Sequence, residues 1–170
     1  MHSSPRMRIL SAVLLAAATT LVVAPGVAEA ATVTVQAESY AAQSGVQLEA
    51  TADSGGGQNA AYLAEGDWMR YDGVNLGAAG TLTVQARVAS AVGTGRVELR
   101  TGSVTGPLLT QFSIAATGGW QAWSTLTATT ATHPTGAQTV FAVLRNTAGF
   151  ESFLQVPGRL PMLGIQSHPI

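Results

Sequence analysis

The chain runs to 170 residues with eight Arg, no Lys, nine acidic residues and no cysteine, for a formal net charge of −1. A near-neutral chain without lysine lacks the basic face that nucleic acid or an anionic membrane surface demands. The absence of thiols excludes disulfides, a cysteine nucleophile and a thiolate metal site, which leaves stacking and hydrogen bonding as the means of binding.

Residues 1–30 read as a signal peptide. Arg6 and Arg8 supply a short basic start, and residues 9–23 form an apolar run shorter than the ~20 residues of a membrane span. Pro25 and Gly26 break that run. Ala28, Glu29 and Ala30 give a small-x-small cleavage site before Ala31, so the protein is expected to be secreted. Residues 31–156 suit one domain. The tail, residues 157–170, with Pro157, Pro161 and Pro169, has no strand pattern and is expected to be unstructured.

The mature chain reads as all-β. Residues 32–38 alternate Val33, Val35 and Ala37 against Thr34, Gln36 and Glu38, the period of a half-buried strand. Short strands are then expected at 61–63 and 67–71. Residues 81–90 repeat the alternation, with Leu82, Val84, Ala86 and Val88 on one face. Val97 and Leu99 against Glu98 and Arg100 continue it over 96–100. Further strands are expected at 109–114, 121–128, 139–144 and 150–156. Glycine-rich turns separate these runs at the spacing of a β-sandwich of jelly-roll type.

Two segments place aromatics beside glycines. Gly55, Gly56 and Gly57 precede Tyr62 and Trp68, and Gly118-Gly119 precede Trp120 and Trp123. Exposed rings on loops make a platform for a flat, partly apolar ligand such as a sugar. Each residue also has a plainer reading. Trp120 could plug one end of the sandwich, Tyr62 could be core with its hydroxyl satisfied, and Glu49 could be a solvated carboxylate. Trp123 and Trp68 read as core, or Trp68 as lining a side surface.

Catalysis has little in its favour. His133 and His168 have no nucleophile elbow beside them, and no pair of acids is singled out for glycoside hydrolysis.

In order and spacing, several strings together resemble the family 6 carbohydrate-binding modules. They are Gln36-Ala37-Glu38-Ser39-Tyr40, Ser44-Gly45-Val46-Gln47, the segment from Gly55 to Trp68, Arg87-Val88-Ala89-Ser90, Val97-Glu98-Leu99-Arg100, Gly106-Pro107-Leu108 and Gly118-Gly119-Trp120-Gln121-Ala122-Trp123. The resemblance implies a non-catalytic module that grips sugar between two aromatic rings in a loop cleft. Tyr62 and Trp120 match those rings, and Glu49 matches a carboxylate that bonds sugar hydroxyls. The family's last-loop Asn is replaced here by Glu151 or lost. Some relatives use a second site on a sheet face near the residue matching Trp68. The resemblance also implies a structural calcium, with Gln36 and Glu38 as side-chain ligands and Ser152 where the family has an Asp.

The expected ligand is a plant cell-wall polysaccharide, xylan or a β-glucan, bound by a monomer that engages neither nucleic acid nor membrane. The rival readings are a small secreted glycan hydrolase or lyase using Glu49, Glu65 or Glu151, an adhesion domain, and a truncated relic of a longer glycoside hydrolase.

Overall fold

The computed structural model describes residues 35–93, 95–146, 152–155 and 166–168. The expected signal peptide and Glu151 lie outside the described residues, as does most of the proline-containing tail. A 3-10 turn at Ala37–Ser39 is followed by β1 (Ala42–Ser44), β2 (Gln47–Ala50), β3 (Gln58–Leu63), β4 (Trp68–Asn75), β5 (Thr81–Ser90) and β6 (Gly95–Thr101). Then come β7 (Leu108–Ile114), β8 (Gly119–Thr130), β9 (Ala137–Asn146), β10 (Ser152–Gln155) and β11 (Gln166–His168). Among the described residues no helix is long and apolar enough to cross a membrane.

The strands pair antiparallel into two sheets. One has the order β1-β4-β9-β6-β7; the other runs β2-β3-β10-β5, with β8 also paired to β5 and β11 extending the row beside it. This is the all-β sandwich that the alternation predicts. Leu82, Val84, Ala86 and Val88 of β5 face inward against Val97, Leu99, Met69 and Val140 of the opposite sheet, all buried. Removing such side chains from water is the main stabilising term of a disulfide-free domain.

Three local departures have physical causes. Residues 37–39 are a 3-10 turn where a strand is expected. Ser39 folds back so that its backbone N–H and hydroxyl both donate to the Gln36 carbonyl, at 3.0 and 2.7 Å. β1 and β2 give no sequence signal because most of their residues are exposed, leaving no alternation to read. Residues 166–168, expected to belong to an unstructured tail, pair with Thr81, Leu82 and Thr83 of β5. Backbone pairing along an open strand edge needs no side-chain periodicity.

Gly45, at φ 80°, links β1 to β2 where only glycine fits. A Cβ there would collide with the Asp67 carboxylate. Asp67 Oδ2 accepts the Ala64 N–H at 2.7 Å, closing the β3–β4 turn. The N-terminal strands and the turn behind Tyr62 are thereby packed together.

Candidate functional site

Two irregularities in the second sheet build the site. The first is in β3. Ser152 pairs with Leu63 and Leu154 with Ala60, so three steps of β3 oppose two of β10. Ala60 and Leu63 both face the core, and the extra residue is a bulge. Tyr62 occupies it at φ 58°, the one non-glycine residue with positive φ among those described. A bulky residue in the left-handed region is strained, by roughly 1–2 kcal/mol. Such strain persists where the surroundings impose it, commonly at ligand sites. Its effect here is to turn Tyr62 out of the core alternation, leaving it 41% exposed.

The second irregularity is in β8. Ser124 pairs with Val88 and Gly119 with Ser90, so five steps of β8 oppose two of β5. The surplus chain, residues 119–123, arches over the outer face of the sheet. Trp123 packs on Ala61 of β3 and Ala89 of β5, two residues that face away from the main core. This corrects the expectation that Trp123 is core, since it covers the outer face. Trp120 lies on the same arch, 37% exposed. Both expected ring residues are therefore open to solvent, on segments that meet over β3.

Glu49 joins them. It stands opposite Asn59 in the β2–β3 ladder, on the same face as Ala61. Its Oε1 accepts from Gln121 Nε2 at 2.6 Å and from Asn59 Nδ2 at 3.3 Å. Gln121 Oε1 in turn accepts the Ala52 backbone N–H at 2.9 Å and the Trp123 indole N–H at 3.2 Å. Asn59 is fully buried, and its Oδ1 has no partner. Leaving an amide oxygen unpaired inside the protein costs about 1–3 kcal/mol, yet flipping the amide would set that oxygen against the Glu49 carboxylate. Neither Gln121 nor Asn59 stands out in the sequence, although both lie within the motif strings. An amide followed by an aromatic two residues on carries no chemical signature until the arch brings it over β2.

The loop between β2 and β3 walls this region. Gly55, Gly56 and Gly57 all have positive φ, at 107°, 66° and 92°, a run that only glycine adopts readily. Arg87 of β5 grips Asp53 with a fork, Nε to Oδ2 and Nη2 to Oδ1, both at 2.6 Å. Hydrogen bonding from Arg87 holds the Asp53 carboxyl below the usual carboxylate range, against the opposing effect of burial. The arrangement can present two rings and one anchored carboxylate to a ligand. The second acid, Asp53, has both oxygens engaged by Arg87.

Gln36 and Glu38 lie elsewhere, Gln36 just before the 3-10 turn and Glu38 within it, and the turn rests against β3 and β10. Gln36 Oε1 and Glu38 Oε2 are buried oxygens without a hydrogen-bond partner. Between them the Ala37 carbonyl accepts the Tyr71 hydroxyl at 2.8 Å. Burial, with Glu38 and Tyr40 nearby, raises the Tyr71 pKa, so the phenol stays a donor. Two orphaned oxygens on one turn suit a hard cation with oxygen ligands. Among the described residues no group of three or more His, Cys, Asp or Glu could hold a metal.

Trp68 is half-buried on the outer face of the other sheet, its ring tilted at 55° against Phe141 with centroids 5.6 Å apart. In the same row of that sheet, Glu98 is buried and accepts from Arg96, Arg100 and Arg145 at 2.9, 2.9 and 3.2 Å. The chain thus has aromatics on two separate outer faces, and only the Tyr62–Trp120 face gathers the expected carboxylate.

Comparison with known proteins agrees with this fold. The alpha subunit of clotting factor G from Tachypleus tridentatus is 40% identical over 97 residues, 56% of this chain and 14% of that protein. An arabinoxylan arabinofuranohydrolase from Paenibacillus polymyxa is 38% identical over 112 residues, 64% of this chain and 17% of that enzyme. The chain therefore spans only a small part of the length of these relatives. A β-1,3-glucan-binding family 6 module from Bacillus halodurans superimposes with a TM-score of 0.63 at 37% identity, covering 71% of this chain and 90% of that one. The sequence model for carbohydrate binding module (family 6) matches residues 36–156. The chain belongs to the family 6 carbohydrate-binding modules.

Proposed function

We propose that this module is secreted and non-catalytic, and that it binds one or two sugar units of a neutral plant cell-wall polysaccharide, a β-glucan or xylan, in the cleft beneath the β8 arch. Tyr62 and Trp120 stack on the apolar faces of the sugar, and the Glu49 carboxylate accepts from its hydroxyls. The observation that carries the proposal is the conjunction of two open rings with an anchored carboxylate on one face. The similarity to a β-1,3-glucan-binding module and to part of an arabinoxylan hydrolase supports the ligand class. Glu151, which lies outside the described residues and stands where the family's last-loop Asn is replaced or lost, is a further candidate contact to the sugar.

Absence of catalysis is supported by the fate of the acids. Hydrolysis of a glycosidic bond requires two carboxyls facing across it, and Asp53 is tied to Arg87. The protein acts as a monomer, without nucleic acid or membrane. Electrophoresis in gels containing xylan or laminarin tests the proposal. Retardation by either, with no reducing ends released from either, is expected; release of sugar would replace the module with an enzyme.

A structural Ca²⁺ is part of the same proposal. Gln36 Oε1 and Glu38 Oε2 would hold it, and the ion would neutralise a buried carboxylate and tie the 3-10 turn to the sandwich. Thermal melting with and without a chelator checks this. Loss of several degrees on chelation, restored by Ca²⁺ but not by Mg²⁺, is expected; identical melting curves would remove the ion.

A further inference from the structure

Glu49 alone is half-exposed on the short strand β2, and a carboxylate in that position is free to turn. The structure prevents this with a chain of side-chain bonds originating on β8. Gln121 donates to Glu49 Oε1 at 2.6 Å, and its own carbonyl accepts from both the Ala52 backbone and the Trp123 indole. Both ends of that amide are engaged, so its orientation is fixed by three independent partners. Asn59 supplies a second donor to the same oxygen from below. Among the described residues, Glu49 Oε2 is left without a hydrogen bond.

From this we infer that Gln121, held by the Trp123 indole N–H, is a positioning residue that sets the affinity of the cleft by locking the Glu49 carboxylate. It occupies Oε1 and presents Oε2 to the sugar. The inference deepens the proposed function and rests on it. A preorganised acceptor binds a hydroxyl without first losing the freedom of its own side chain. Gln121 therefore acts without touching sugar, and its contribution vanishes when Glu49 is absent. The same chain ties the arch that bears Trp120 to the loop that contains Asp53, so the ring and the carboxylate are fixed by one connection.

The test is a double-mutant cycle on the full chain, with association constants measured by calorimetry for laminarihexaose and xylohexaose. Gln121→Ala is expected to lower the constant about five- to ten-fold, below the cost of one whole hydrogen bond to a charged acceptor because Asn59 still holds the same oxygen. In a Glu49→Ala background the same change is expected to alter it less than about two-fold, because coupled residues are non-additive. Trp123→Phe keeps the apolar cover over Ala61 and Ala89 but deletes the N–H. It is expected to cost about two-fold in the native background and nothing in Glu49→Ala. It also serves as the readout should Gln121→Ala fold poorly. Equal losses in both backgrounds, or no loss for either variant in the native background, would overturn the inference. Trp120→Ala run alongside separates the two levels. If it abolishes binding while the cycle is additive, the cleft stands and the positioning role falls. If Trp120→Ala binds as the native protein does, the proposed function falls with it.

Discussion

Tyr62 shows how a single residue carries both structural cost and function. Its φ of 58° is unfavourable for a tyrosine, and the bulge that imposes it is what turns the ring outward. Stability and binding should therefore separate at this site. Replacing Tyr62 by Ala or by Gly deletes the ring equally, but only Gly accepts the backbone. Tyr62→Gly is expected to be more stable than Tyr62→Ala by about 1 kcal/mol, the left-handed penalty less the entropy cost of glycine. Chemical denaturation of the two variants measures the difference, and both should lose laminarin and xylan retardation. Equal stabilities would mean that the bulge relaxes once the ring is gone. Tyr62, Trp120 and Glu49 were legible from family strings as candidate ligand residues, and the structure places them on one face. The bulge was not, because Gln58-Asn59-Ala60-Ala61-Tyr62-Leu63 contains no glycine at the position that needs positive φ.

At the scale of the strand, the inward alternation of β5 and β6 was readable residue by residue, and the structure follows it over Thr81–Ser90 without a shift in either boundary. What escaped were features whose periodicity is broken or absent: the exposed strands β1 and β2, and the arch of β8. Charge on a buried strand face was also hidden, because Arg96-Val97-Glu98-Leu99-Arg100 reads as polar-out when Glu98 is in fact covered by its arginines. Burial pushes the Glu98 carboxyl up, but hydrogen bonds from Arg100, Arg145 and Arg96 outweigh it, and the net shift is downward. Asp53, held by Arg87, is also lowered. A carboxyl with a depressed folded pKa contributes stability above its unfolded pKa and loses it as pH falls through the folded value. The melting temperature should therefore hold steady down to about pH 5 and fall below about pH 4, where these carboxyls protonate. Glu98→Gln should cost about 1–3 kcal/mol at pH 7, less than a fully buried pair because Arg96 is nearly half exposed. Melting curves across pH check both points. The gap between variant and native protein should close in acid; a gap independent of pH would mean that Glu98 acts by packing and not by charge.

For the molecule as a whole, the sandwich is a frame for irregular segments, and the proposed binding residues lie in the irregularities. The core fixes β3 and β5, the β3 bulge aims one ring, the β8 arch brings the second ring across, and β2 supplies the acid at the edge. Composition had already narrowed the ligand to one held without net charge, and the cleft meets that requirement with a single carboxylate and two rings. The opposite sheet offers a competing aromatic surface at Trp68 and Phe141, so gel retardation by itself does not identify which face binds. The most direct measurement is the structure of the protein in complex with laminarihexaose or xylohexaose. The account predicts a sugar ring between Tyr62 and Trp120 with a hydroxyl on Glu49 Oε2. An oligosaccharide seated over Trp68 and Phe141, with nothing bound beneath the β8 arch, would contradict it.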